Sequence, residues 1–404
     1  MKGLGKFGYM ILGVFFIVSS CKTNVASVDN KEIDELQKII AEVKAEYAPD
    51  SRVALFDVEA NPTNGTYVLK GESNMASAVN TLKQKLNSKN ISFKDSIILL
   101  PSAEMEGTSE GIIKISVANL RSAPSHSAEL VTQAILGTPV KVYKKEGGWY
   151  YIQTPEGYLA WVDYGGVTPF SKDDLSAWKA AKKVIYLKTY GFAYEKPDTE
   201  TQVVSDLVAG NVLEILGEEN GFYQVRYPQG KTGYIEQADA ELYEQWLSSL
   251  KPSGETLVET SKTLMGIPYL WGGTSAKGVD CSGYTKTIFF LNGIILPRDA
   301  SQQIQTGVEV DTERKFENLI SGDLLFFGRK ATDSTSEKVI HVGMWIGDNK
   351  FIHAMGDVHI STMDPNAEDF DEYNYNRYLR TKRLLNVEDT DLIYLNKTNI
   401  YARE

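Results

Sequence analysis

Apolar and polar residues recur along this chain in two rhythms, and the changes between them divide it. Ile33, Leu36, Ile39, Ile40 and Val43 return at steps of three and four, which places them on one face of an amphipathic helix. Residues 52–58 form a short apolar-rich run of strand character and residues 67–72 a second, with the turn formers Asn61, Pro62, Thr63, Asn64 and Gly65 between them. Helical spacing returns over 75–86 and strand character over 96–100. The pattern predicts helix, hairpin, helix and strand in one small α/β unit over residues 31–104, and no residue in it suggests chemistry.

The next stretch copies itself at a constant offset of 73 residues. Pro124, Val131, Gly137, Gly148, Tyr150, Pro155, Gly157 and Val162 correspond to Pro197, Val204, Gly210, Gly221, Tyr223, Pro228, Gly230 and Ile235. Each copy has short alternating strands broken by glycine and proline, as in a small β-barrel, and the copies span 112–166 and 180–240. They are not equivalent. Glu129, Trp161 and Tyr164 stand where the second copy has Gln202, Tyr234 and Gln237, so only the first carries an acid in that register.

Helical segments at 243–251 and 254–265 lead into a last unit, 250–385, in which helix and strand patterns alternate; the tail, 386–404, has no readable pattern. Apolar residues return at helical spacing from Ser282 to Leu291, and Asp280 is suited to cap that helix, which puts Cys281 in its first turn. Unpaired N–H groups and the positive end of the helix dipole stabilise a thiolate there. They also receive the oxyanion that forms when the thiolate attacks a carbonyl. Two strand patterns, 339–346 and 350–354, flank Gly347, Asp348 and Asn349 and read as a hairpin carrying His341 and His353. The 12-residue separation of the two histidines is even, so a plain two-residue turn would put them on opposite faces. A pair on one face requires an odd-length or bulged connection, which is expected here.

Composition narrows the chemistry. The 404 residues carry 42 basic and 53 acidic side chains, a net charge of −11, which excludes a sequence-independent grip on nucleic acid. Only two cysteines, Cys21 and Cys281, and four histidines, His126, His341, His353 and His359, are present. No second cysteine or closely spaced histidine pair completes a zinc set around Cys281, so neither a metal nor another cofactor is expected. His126 and His359 read as surface residues, with an approach of His359 to the cleft beside the His353 strand as the alternative; Arg377, Arg380, Lys382 and Arg383 read as a solvated face, with binding of a diamino acid carboxylate as the alternative.

The N-terminus has a basic start, an apolar run over 7–18 and then Ser19, Ser20 and Cys21, which is the layout of an export signal too short to span a bilayer. Val18-Ser19-Ser20-Cys21 resembles the bacterial lipoprotein signal; an ordinary secretion signal with a chance cysteine is the alternative. The resemblance implies that residues 1–20 are removed, Cys21 is lipidated, 21–30 serve as a tether and Cys281 has no disulfide partner. The mature chain then has 40 basic and 53 acidic residues. An exported, membrane-anchored lipoprotein facing the periplasm or cell envelope is expected; Lys22 offers no acidic retention signal of the inner-membrane kind, so in a source with two membranes the outer membrane is favoured over the cytoplasmic one.

Further resemblances follow from motifs. Leu120-Arg121-Ser122-Ala123-Pro124, Gly148-Trp149-Tyr150 and Gly157-Tyr158-Leu159-Ala160-Trp161-Val162 resemble bacterial SH3 domains. Tyr269-x-Trp271-Gly272-Gly273, Asp280-Cys281-Ser282-Gly283, Leu296-Pro297-Arg298-Asp299, His341-Val342-Gly343 and Ile352-His353-Ala354 resemble, in that order, the NlpC-type cell-wall cysteine peptidases with their papain-like α+β fold. The resemblance implies that Cys281 is the nucleophile, His341 its base and His353 the residue that orients the imidazole. It also implies that Tyr269 and the Cys281 amide flank the oxyanion, and that Asp280 and Ser282 line the substrate groove.

Two bacterial SH3 domains before such a peptidase resemble the γ-D-glutamyl-L-diamino acid endopeptidases of murein recycling, in which the first barrel closes one end of the cleft. On that likeness Glu129 binds a free L-Ala amine, Tyr164 is an aromatic helper and Asp299 a second acidic contact. The substrate would be a murein stem peptide, cut to release L-Ala-γ-D-Glu. A general murein endopeptidase acting within the polymer and a non-catalytic wall-binding lipoprotein are the alternatives. A histidine base predicts activity that falls in acid. The element order of the first unit resembles the small periplasmic BON-type domain.

Overall fold

The structure, a computed structural model, describes residues 30–63 and 66–402. The export signal, Cys21 and nearly all of the expected tether lie outside the described residues. Among the described residues no helix is long and apolar enough to cross a membrane.

The first unit follows its hydrophobic pattern. Leu36, Ile39 and Val43 of the Asn30–Tyr47 helix and Val79, Leu82 and Leu86 of the Ala76–Ser88 helix are buried with Phe56, Val58, Tyr67 and Leu69 of a three-stranded sheet. Strands Phe56–Thr63 and Thr66–Ser73 pair antiparallel, and Phe93–Leu99 joins the second in parallel. The second helix is the crossover that such a parallel pair requires.

The repeat is visible strand for strand. Val117–Arg121, Leu130–Ile135, Pro139–Glu146, Trp149–Gln153 and Leu159–Asp163 match Tyr190–Tyr194, Val203–Val208, Val212–Glu219, Phe222–Arg226 and Thr232–Glu236. A bulge also recurs, between Val142 and Lys144 in one barrel and between Ile215 and Gly217 in the other.

The last unit is α+β. A six-stranded antiparallel sheet runs in the order Val308–Asp311, Tyr378–Arg383, Leu324–Arg329, Lys338–Gly347, Lys350–Met355, Asp357–Thr362. The Cys281–Leu291 helix buries Tyr284, Ile288 and Phe289 with Phe326, Val342, Met344 and Ile352 of that sheet.

The units share apolar junctions. Ile112 of the first barrel, Ile185 and Val212 of the second, Phe290 and Ile295 of the last unit, and Leu395 and Tyr401 of the tail bury one another around Trp178 and Trp246. The tail is therefore structural, and its Ile393–Tyr394 strand pairs with Ile294–Ile295. Leu55 and Leu100 of the first unit pack on Tyr143 and Leu159 of the first barrel. Each large side chain fully buried in this way contributes about 1.5–3 kcal/mol, so the junctions hold the units in register.

Candidate active site

The cysteine sits where its helix begins because Asp280 caps that helix. Asp280 Oδ1 accepts the Gly283 N–H at 2.7 Å, and Oδ2 accepts the Gly272 N–H at 2.9 Å. Arg298, only 1 % exposed, donates to both oxygens, at 3.1 and 2.6 Å. Its other contacts are Ser282 Oγ at 3.0 Å and Thr132 Oγ1 of the first barrel at 2.8 Å. A buried carboxylate is tolerated when it is paired and hydrogen-bonded, and this one is both. Asp280 and Ser282 do line the cleft beside Cys281, but both side chains are already engaged with Arg298.

Burial, with the Asp280 charge adding to it, pushes the Cys281 thiol up to about 12, while backbone hydrogen bonds from Val342 and Ser282 pull it the other way. Val342 follows His341, so the sulphur lies against the strand that carries the first histidine. Tyr269 lines the same cleft, and burial holds its hydroxyl protonated far above the ordinary phenol range.

His341 Nε2 and His353 Nδ1 are 2.8 Å apart, and both residues are buried. The turn between their strands has two residues, Asp348 and Asn349, both in the left-handed region at φ 52° and 55°. Met344 faces Ile352 and Trp345 faces Phe351, yet Gly347 faces Lys350, so Ile346 is an extra residue. That bulge supplies the parity change the even spacing demanded. His353 Nε2 in turn meets Ser361 Oγ at 3.0 Å and lies 4.0 Å from the Asp371 carboxylate. Burial pushes both imidazoles down, His341 to about 3 and His353 to about 2.

The cleft around Cys281 has a volume of about 360 Å³ and is lined by three units: Arg52 from the first, Glu129 and Tyr158 from the first barrel, and Tyr269, Trp271 and Asp299 from the last. The barrel approaches closely because Gly272, at φ +78°, has no Cβ; one there would lie 2.3 Å from the Leu130 carbonyl oxygen. Glu129 accepts the Trp271 indole N–H at 2.8 Å. Asp299 Oδ2 accepts from Arg52 Nη1 at 2.7 Å and from the Tyr158 hydroxyl at 3.2 Å.

Three sequence expectations change. Tyr164 is 69 % exposed and does not line the cleft. It follows the five-residue Leu159–Asp163 strand whereas Tyr158 precedes it, and six steps of extended chain separate the two by roughly 20 Å. Tyr158 is the tyrosine that reaches Asp299; its partner at offset 73 is Lys231, the same kind of divergence that singled out Glu129. His359 is not merely a surface residue, because it pairs with His353 across the sheet and its ring lies 4.4 Å from that imidazole. Finally, the first unit, in which no residue suggested chemistry, sends Arg52 into the cleft. Nothing in the local sequence distinguishes that arginine. The basic cluster near residue 380 is largely paired, Arg380 with Glu337 and Arg383 with Asp323, while Arg377 stacks on Tyr373.

Residues 266–380 match the NlpC/P60 family, and residues 116–168 and 190–240 each match the bacterial SH3 domain. The chain is 31% identical over 244 residues to a gamma-D-glutamyl-L-lysine dipeptidyl-peptidase of Bacillus cereus, covering 57% of this chain and 68% of that protein. It is 26% identical over 269 residues to dipeptidyl-peptidase 6 of Lysinibacillus sphaericus, covering 63% of this chain and 91% of that one. Among solved structures, an NlpC/P60 family protein from Bacillus cereus is similar with a TM-score of 0.58 and 27% identity, over 69% of this chain and 100% of that one.

Proposed function

The chain belongs to the NlpC/P60 family of cysteine peptidases, and from that premise we propose that it cuts cell-wall stem peptides between γ-D-Glu and the diamino acid, on substrates whose L-Ala amine is free. The observation that carries this reading is a pair of carboxylates in the cleft of the nucleophile. Glu129 from the barrel and Asp299 from the peptidase unit both line the cleft that holds Cys281. Two carboxylates in one cleft reward a terminal ammonium and leave an acylated amine unable to pair with them.

In this mechanism His341 Nδ1 takes the Cys281 proton as sulphur bonds to the γ-carbonyl carbon of D-Glu. Its Nε2–H then donates to His353 Nδ1, and His353 Nε2–H donates to Ser361 Oγ, so one chain of contacts selects both tautomers. The oxyanion is received by the Cys281 N–H at the helix start and by the Tyr269 hydroxyl. As the carbonyl re-forms, the C–N bond breaks and His341 returns its proton to the departing amine. Water then hydrolyses the thioester and frees L-Ala-γ-D-Glu. Lipidation at Cys21 and an outer-membrane anchor belong to the same proposal; fatty-acid labelling lost in Cys21→Ser is the expected result.

The test uses purified protein with L-Ala-γ-D-Glu-meso-diaminopimelate and its N-acetylated form, with mass spectrometry of the products and Cys281→Ala as control. The free peptide should be cut at least ~100-fold faster. Similar rates on both would support an enzyme acting within the polymer, and no cleavage of either would support a binding protein.

A further inference from the structure

We propose that Arg52 makes the first α/β unit part of the substrate site, as a positioning residue that holds Asp299 to receive the substrate ammonium. The inference rests on the amine-binding function proposed above.

Arg52 lies in the turn that precedes the Phe56–Thr63 strand, and its side chain crosses to the peptidase unit. Nη1 donates to Asp299 Oδ2 at 2.7 Å and to Ser301 Oγ at 2.9 Å. Nε and Nη2 grip the two oxygens of Asp50 at 2.8 and 2.7 Å. Four of the five guanidinium N–H groups are thus engaged, and no two-pronged face is left for a substrate carboxylate. Arg52 therefore acts through Asp299.

What it does there is electrostatic and geometric. Asp50, Glu129 and Asp299 bring three carboxylates to this end of the molecule, and Arg52 is the cation that touches two of them. Asp299 Oδ1 lies 4.0 Å from Arg298 Nη1, whose guanidinium is already paired with Asp280. Arg52 and Tyr158 both donate to Oδ2, which fixes the carboxylate and leaves Oδ1 as the oxygen offered to the ammonium.

Arg52 is itself fixed by contacts that do not use its side chain. Its carbonyl accepts the Leu159 N–H at 2.7 Å, and the Val53 carbonyl accepts Gln153 Nε2 at 3.0 Å. Gln302 Nε2 donates to Asp50 at 2.8 Å. Truncating the guanidinium should therefore leave the unit docked.

The experiment measures KM and kcat on the free-amine and N-acetylated peptides for the intact mature protein, Arg52→Ala, Asp299→Asn and the double variant, with melting curves for each. Arg52→Ala should raise KM for the free-amine peptide about 10-fold with kcat within about twofold, and should add nothing in the Asp299→Asn background. Arg52→Lys should recover part of the loss, and Arg52→Gln replaces Arg52→Ala if that variant does not fold. Equal effects of Arg52→Ala in both backgrounds, or a fall in kcat with KM unchanged, would overturn the proposal and leave Arg52 a strut. Comparable cleavage of both peptides by the unmodified protein would instead remove the amine-binding function, and this inference with it.

Discussion

Gly343 leaves the space that His353 occupies: a Cβ on it would lie 3.1 Å from His353 Cβ and 2.7 Å from Cδ2 of Phe351. Both neighbours are fully buried and the His353 ring stacks on Phe351, so neither yields easily. Gly343→Ala should displace the His353 ring from His341. The expected outcome is a loss of about 1–3 kcal/mol in denaturant unfolding and a drop in kcat of at least tenfold. Unchanged kcat would show that the His341–His353 contact is not needed.

The ion pair between Arg298 and Asp280 makes a second prediction. Arg298→Met leaves a buried carboxylate facing only backbone N–H groups and Ser282. Its cost should be about 3–5 kcal/mol by urea unfolding, and adding Asp280→Asn should restore part of it. The two substitutions should therefore be strongly non-additive.

A third prediction concerns pH. Burial lowers His341 to about 3, so it stays unprotonated well below the ordinary imidazole value of about 6.5. The acid limb of kcat/KM should lie below that value instead of at it, and a limb centred near 6.5 would contradict a buried base. Stability moves in the opposite sense to proton uptake. From about pH 6.5 downward the unfolded chain binds protons at His341 and His353 that the folded chain does not, so the unfolding free energy falls as pH falls. Comparing urea midpoints at pH 7.5 and 5.5, Cys281→Ala should lose more than Cys281→Ala with His353→Asn.

The cleft end supplies a fourth. Tyr158→Phe removes a hydrogen bond to Asp299 and should raise KM several-fold, whereas Tyr164→Phe should change nothing. Glu129→Gln should raise KM far more than Gln202→Ala. Equal effects in the two barrels would argue against a role confined to the first.

The fold was legible wherever a residue's fate depends on its neighbours in sequence. Helical spacing from Ile33 to Val43 produced a helix, and the 73-residue offset produced two barrels with matching strands and a matching bulge. The histidine pair was half legible. The even spacing of His341 and His353 required a parity change, but whether a longer loop or a bulge would supply it was left open, and Ile346 supplies it.

Sequence alone therefore determined the order of elements, the placement of Cys281 at a helix start and the short set of groups able to do chemistry. Periodicity, capping and composition are local properties, so they can be read along the chain. Only the tertiary structure decided that Arg52 enters the cleft, that Tyr158 and not Tyr164 touches Asp299, and that Arg298 engages the Asp280 carboxylate. Those outcomes depend on which distant loops converge and on what burial removes from water. The Arg52 and Asp299 side chains, 247 residues apart, meet only because two junctions hold three units around one cleft.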